Sequence, residues 1–437
     1  MTLSSADVAR LLIALALLLS AAHGVGYVFV RLRQPRVVGE IIGGLLLGPT
    51  VVGAASPSLQ ARIFPPTGPT PLVLDAIYQL GLLLLMFSAG AEIRSAFHRD
   101  ERRTVAWVSV TGMALPFLAG LGVLLFVDTT RWEGTAGAGT PFLLVFAIAI
   151  AVTSIPVISR IMFDLGILET SFARIVLGVA VVEDVVLYIL LAIALGLVQG
   201  ASGDVYGLPD ALGLDPASGL ATAYHVFVTV GFLALALTLG PPIYRWILRF
   251  RFNVVERGSA IGFQLIFMFL ATVVAVFLGV VALFGAFVGG IVVASSSSEN
   301  AARAREEIKS FSFAFFIPVY FAIVGLRLDL LRDFEPLSFL AFTAFACIAK
   351  SASVYLGARI AREPRTSAIN LAVALNARGG PGIVLASVAW DARIIDDGFY
   401  TTLVLLAVLT SLAAGSWLES VVRSGRPLRA ERSTAEA

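Results

Sequence analysis

Two carboxylates, Glu183 and Asp184, lie side by side in an apolar run from about Ile175 to Leu197 that holds no other charge. The run is long enough to cross a bilayer, which takes about 20 apolar residues. An ionisable side chain at that depth costs about 2.5–3.5 kcal/mol on insertion scales. One polar residue would support helix packing at lower cost, so two adjacent carboxylates point to a task. The task that suits them is to bind and release a cation and protons. As helix neighbours they project about 100° apart. One can face a cavity while the other meets a neighbouring helix. Repulsion and desolvation work against both being charged at once, and such a carboxylate can load with either a proton or a cation.

A third charge at depth is Lys350, flanked by apolar residues for more than a turn on each side. The chain has only two lysines, Lys309 and Lys350, and uses arginine elsewhere. A buried ammonium needs a partner, and the natural one is Glu183 or Asp184. Two helix breakers complete the set: Thr153-Ser154-Ile155-Pro156, and Asn376-Ala377-Arg378-Gly379-Gly380-Pro381-Gly382. Backbone freed at Pro156 and around Gly379 is tolerated only where protein or a wet cavity satisfies it. Half-helix ends present dipoles of both signs near the midplane, and Thr153 and Ser154 add hydroxyls able to coordinate a small cation. Arg378 reads equally as an electrostatic stand-in near the site or as a cap for freed carbonyls. Glu40, Gln264, His23 and His225 read as packing, loop or interface residues. Gly279, Gly285, Gly289 and Gly290 read as sites of close helix packing.

The elements that must position these residues are membrane helices. Of 437 residues, 58% are hydrophobic and 14% charged, where soluble domains carry about 25% charged. The single cysteine, Cys347, excludes an intramolecular disulfide, and three histidines make a zinc site unexpected. The N-terminal apolar stretch continues to Val30, so it reads as a first span rather than a cleaved signal. Hydropathy predicts thirteen spans: 6–30, 37–54, 72–93, 104–127, 141–163, 172–199, 218–248, 259–276, 279–295, 311–328, 336–358, 367–390 and 398–422. Of 31 basic residues, six (Arg10, Arg62, Arg131, Arg327, Arg332 and Arg393) fall at the N-terminus or in the loops after even-numbered spans. Lys350 and Arg378 fall inside spans, and the rest, including Arg33, Arg94, Arg99, Arg249 and Arg251, belong to the opposite side. The positive-inside rule then puts the N-terminus outside and the C-terminus in the cytoplasm. Spans 1–6 and 8–13 suit inverted repeats with 218–248 as linker, and the two breakers fall in corresponding spans. Residues 423–437 read as a disordered cytoplasmic tail.

Several stretches together resemble the monovalent cation:proton antiporter superfamily, in the branch of bacterial sodium/proton and potassium/proton exchangers. They are Arg33-Gln34-Pro35-Arg36-Val37-Val38-Gly39-Glu40 with Gly48-Pro49, Leu80-Gly81-Leu82 through Glu92, Thr153 to Val157, the acidic pair, Gly285-Ala286-Phe287, Lys350, and Asn376-Ala377-Arg378-Gly379. The resemblance covers nearly the whole chain. It implies an all-α integral membrane fold of about thirteen transmembrane helices, with two broken helices crossing beside the acidic pair. It implies a dimerisation domain from 1–54 and 259–295, an ion-transporting core from 72–199 and 311–422, a homodimer and an elevator-like movement. Asp184 matches the main ion-binding carboxylate, and Lys350 the lysine that pairs with the first acid. Glu183 departs from the Asp or Asn usual at that first position, and Val276 from a common Glu. No nucleotide-binding regulatory domain is expected after the last span.

The expected function is antiport of a monovalent cation, Na⁺ favoured and K⁺ possible, for H⁺ across the plasma membrane, electrogenic if Glu183 keeps the usual charge. That role serves pH homeostasis. Asp184 and Glu183, with Thr153 and Ser154, would bind the ion and protons. The rivals are a sodium-coupled organic-anion carrier on a related broken-helix fold, and a cation channel. No nucleophile–base constellation or cofactor motif stands out, so neither an enzyme, a cofactor nor a nucleic-acid partner is expected. A fluorescent reporter fused to the C-terminus should fluoresce, and an alkaline phosphatase fused there should be inactive. The opposite pattern would refute the orientation.

Overall fold

The computed structural model describes residues 3–92, 101–136, 139–201, 207–214, 219–249, 253–296 and 298–429. Arg94, Arg99, Arg251 and tail residues 430–437 lie outside the described residues. The described chain is almost entirely helical. Its main helices are α1 (Ser5–Arg31), α2 (Arg36–Leu47), α3 (Pro69–Glu92), α4 (Arg102–Val123), α5 (Thr140–Ala151), α6 (Ile155–Asp164), α7 (Ser171–Ala201), α8 (Gly219–Thr238), α9 (Ala260–Phe277), α10 (Ala282–Val293), α11 (Glu299–Ala314), α12 (Phe316–Leu326), α13 (Pro336–Ile360), α14 (Arg365–Ala374), α15 (Gly379–Asp391) and α16 (Asp397–Arg423). Shorter helices, such as Pro57–Ile63 in the first long loop, link them. Among the described residues, eleven helical stretches are long and apolar enough to cross a membrane, while α5 and α10 are apolar but shorter.

Both expected breaks are present. One separates α5 from α6, and the other separates α14 from α15. Each resumes with proline in its first turn: Pro156 opens α6, and Pro381 is the third residue of α15. Proline lacks the N–H that a first turn leaves unpaired in any case, so it suits a restart and opposes continuation. In the most apolar part of Arg365–Asp391, 89% is buried, against 22% in Ser5–Arg31. The broken helix is therefore withdrawn from lipid, as freed backbone requires.

The span expected at 311–328 starts earlier. Its charged approach, Glu299 to Lys309, reads as loop by hydropathy but is helical as α11. The Ser298 hydroxyl accepts from the N–H of Ala301 and caps it, Arg303 pairs with Glu307 one turn on at 2.9 Å, and Lys309 reaches Glu92 at 2.6 Å. Capping and charge pairs make a polar helix stable where hydropathy is silent.

By compactness the chain divides into two units. The first comprises Met1–Gly24, Glu40–Ser95 and Ala192–Arg327; the second comprises Val25–Gly39, Ala96–Leu191 and Leu328–Ala437. The helices at 69–92 and 299–326 fall in the first unit with 260–293. In that unit α3 and α10 meet through a glycine on each side. A Cβ on Gly90 would collide with the Phe287 carbonyl, and one on Gly290 with the Phe87 carbonyl. The second unit holds an aliphatic cluster that includes Val157, Ile161, Val179, Val354 and Leu371, and an aromatic one in which Phe146 and Phe399 stack at 5.7 Å. The chain beyond α16 is held as far as Arg429. Asn370 donates to the Leu428 carbonyl at 3.0 Å, and Arg429 pairs with the buried Glu363 at 2.8 Å.

Gly290→Val should force α3 and α10 apart and lower thermal stability in detergent by roughly 1–3 kcal/mol, the usual cost of overpacking. An unchanged unfolding midpoint would contradict this contact.

Candidate functional site

The acidic pair sits in the first half of α7, and the hydrogen-bond partners and cavity residues described below belong to the second unit. Glu183 and Lys350 are completely buried and form an ion pair. The Lys350 ammonium donates to Glu183 Oε1 and Oε2 at 2.8 Å each, to the Gly112 carbonyl at 2.8 Å and to the Ala151 carbonyl at 2.6 Å. An ammonium has three N–H groups, so this one is fully used. The pair fits because α4 carries glycine at its side: a Cβ on Gly112 would stand 3.1 Å from Glu183 Oε1 and 3.1 Å from the Val354 side chain. The longer Glu183 side chain therefore reaches Lys350 without crowding.

Arg378 resolves as a cap. Its Nε donates to the Ala149 carbonyl at 3.2 Å, Nη2 to the Ile150 and Ala346 carbonyls at 3.0 Å each, and Nη1 to both the carbonyl and the side-chain oxygen of Asn376. A guanidinium has five N–H groups, and each has an acceptor. The end of α5 is thereby fully accounted for. A helix leaves its last four carbonyls without helical partners. Here Ile148 accepts from the Val152 N–H at 2.9 Å, Ala149 and Ile150 accept from Arg378, and Ala151 accepts from Lys350. Two buried cations thus face the negative end of a half-helix, the placement its dipole favours.

The two breaks are tied to each other. The Ser154 N–H donates to the Ala377 carbonyl at 2.7 Å, and the Thr153 hydroxyl donates to the Leu375 carbonyl at 2.6 Å. Ser154 Oγ accepts from the Val157 N–H at 3.4 Å and caps α6. Asn376 Nδ2 donates to Ser351 Oγ at 2.9 Å and to the Cys347 carbonyl at 3.3 Å. Gly379 has φ +29°, and a Cβ there would strike Val157 and Ser154 Oγ, so glycine is needed where the segments cross.

Asp184 stands apart from this network. It is 2% exposed, and its Oδ1 has no hydrogen-bond partner. It lines a small cavity walled by Ile148, Val152, Leu187, Leu191, Pro381 and Leu385, together with Tyr188. The space is about large enough for one water-sized species. An unpaired buried polar oxygen is costly, so the arrangement suits a carboxylate that spends its cycle holding a proton or an ion.

Of the residues singled out in the sequence, Glu183, Lys350, Thr153, Ser154, Asn376, Arg378 and Gly379 are joined by these bonds, and Pro156 opens the second half of the first break. Thr153 and Ser154 spend their hydroxyls on the crossover backbone and do not line the Asp184 cavity. Three groups carry no sequence signal of their own. Gly112 is one glycine among 40, and Thr410 and Ser411, which accept from the N–H groups of Arg378 and Gly379 at 3.3 and 3.2 Å, are ordinary helix residues.

The transmembrane sodium/hydrogen exchanger family matches residues 14–424. The chain is 27% identical to Cation/H(+) antiporter 20 of Arabidopsis thaliana over 95% of its own length and 49% of the plant protein. It is 28% identical to Na(+)/H(+) antiporter NhaS4 of Synechocystis, over 93% of this chain and 96% of that one. It spans about half the length of the plant relatives it matches. The sodium proton antiporter MjNhaP1 of Methanocaldococcus jannaschii has the same fold, with TM-score 0.66 and 15% identity, over 95% of this chain and 99% of that one.

Lys350→Ala strands Glu183 and two carbonyls in the interior and should destabilise the protein by roughly 3–5 kcal/mol. Glu183→Gln combined with Lys350→Met should recover part of that loss. A double variant no more stable than Lys350→Ala would contradict the pairing.

Proposed function

Because the chain belongs to the sodium/hydrogen exchanger family, we propose that it exchanges a monovalent cation for protons across the plasma membrane by alternating access. The observation that carries this reading is the division of labour in the acidic pair. Glu183 gives both oxygens to Lys350, while Asp184 keeps an unpartnered oxygen and is one of the residues lining a small cavity. In the loading step a cation meets protonated Asp184, the O–H bond breaks, the proton leaves to water, and the carboxylate holds the cation. The reverse step on the other side returns the proton. One ion and one proton on one carboxylate cannot be bound together, which couples their opposite movement.

Lys350 and Glu183 supply a second titratable pair close to the ion. A proton released there as the cation binds would make exchange electrogenic. Sodium is the favoured cation, and potassium also fits relatives named for Na⁺ and for K⁺. The segments 1–54 and 259–295 would form the contact of a homodimer, and the crossover region would move as the transporting body, with the N-terminus outside. The hydroxyls of Thr153 and Ser154 support the crossover in this reading.

Asp184→Asn should abolish cation-dependent proton movement in everted vesicles loaded in turn with Na⁺, K⁺ and Li⁺. Full exchange by that variant would sink the mechanism. Lys350→Met should turn electrogenic exchange electroneutral, read as loss of its dependence on membrane potential; an unchanged dependence would argue against the second titratable pair.

A further inference from the structure

The polar side chains that the sequence gathers near Asp184 are committed elsewhere. Glu183 is held by Lys350, the Thr153 hydroxyl is given to the Leu375 carbonyl, Ser154 caps α6, and Arg378 is spent on carbonyls. None of them lines the cavity beside Asp184. Two residues with polar side-chain groups do: Asp184 itself and Tyr188. The rest of the wall is aliphatic or proline. A monovalent cation that leaves water for this space needs replacement ligands, and one carboxylate supplies at most two.

Tyr188 is 4% exposed and lies four residues after Asp184 on α7. Positions i and i+4 share one helix face. Helical side chains also lean toward the N-terminus, so a long side chain at 188 covers the turn that carries 184. A tyrosine offers a cation two features that the aliphatic wall lacks. Its hydroxyl is a neutral oxygen, and its ring face carries negative quadrupole charge. We infer that Tyr188 contacts the transported cation beside Asp184 and sets which monovalent cation is accepted. This rests on the exchange reading above. The physical ground is that number and field strength of ligands decide selectivity among ions of equal charge. With one carboxylate always present, the second ligand is the variable.

Two variants separate the features of the side chain. Tyr188→Phe removes the hydroxyl and keeps the ring; Tyr188→Leu removes both. In proteoliposomes the ratio of half-saturating Na⁺ to K⁺ should change about three- to ten-fold in Tyr188→Phe, the size of one lost neutral polar contact. It should change at least as far in Tyr188→Leu. The effect should fall on the half-saturating concentrations more than on the maximal rates, which a purely structural role would not produce. As a measurement independent of turnover, Na⁺ and K⁺ are titrated against the unfolding temperature of detergent-solubilised protein, with Asp184→Asn as the blank. The Na⁺/K⁺ difference should be altered in both tyrosine variants. The assignment is overturned if wild type and both variants show the same Na⁺/K⁺ ratio, in transport or, for a variant that does not turn over, in the thermal titration. If wild type moves no protons yet its cation-dependent stabilisation is lost in Asp184→Asn and altered in Tyr188→Phe, the exchange reading fails while the Tyr188 contact stands.

Discussion

Everything at the centre of this protein follows from one buried ion pair. Glu183 and Lys350 have no access to solvent, and in such a place a lone charge is far more costly than a matched one. The match does more than neutralise. Each ammonium proton is assigned, and two of the acceptors are carbonyls, on α4 and at the end of α5. The pair therefore joins four helices, α4, α5, α7 and α13. A buried pair of this kind is a poor device for stability alone, because well-packed apolar residues often do as well. Its value lies in what it leaves over: with Glu183 occupied, the neighbouring Asp184 remains uncommitted beside a cavity.

The second constraint is that interrupted helices expose backbone in a medium without water. The response here is complete at the end of α5, where the last four carbonyls are met by one N–H, one guanidinium and one ammonium. The same guanidinium takes carbonyls from α13 and from the second break. Ser154 and Ala377 then join the breaks through main chain alone. The crossover is thus held together by hydrogen bonds running between the two breaks. Its cost to function is that the hydroxyls of Thr153 and Ser154 are tied into the scaffold. Of the polar side chains described around the crossover, Asp184 lines the small cavity, with Tyr188 one turn away.

Much of this is legible in the amino-acid sequence. Helix breaks at Pro156 and near Gly379 follow from proline's missing N–H and glycine's freedom. The unusual placement of Glu183, Asp184 and Lys350 follows from the cost of charge in an apolar run. Hydropathy failed at α11, whose charged residues are helical because caps and i,i+4 pairs act independently of apolarity. The sequence left Arg378 open between a charge near the site and a carbonyl cap. Only the direction of its five N–H groups decides that, and direction is a property of the packed fold.

The amino-acid sequence by itself determined that this is a membrane protein with breaks in two helices and with Glu183, Asp184, Lys350 and Arg378 at depth. Each of those conclusions depends on local composition and on the price of polarity in lipid. The tertiary structure decided which carboxylate Lys350 takes, that Gly112 makes room for it, and that Asp184 is the one left beside the cavity. Those are questions of distance between residues 70 to 240 positions apart in the chain, and no local pattern encodes such distances. Neighbours 183 and 184 are nearly equivalent in sequence. They become different only because a helix turns about 100° between them, bringing one to Lys350 and leaving the other among the residues that line a small cavity.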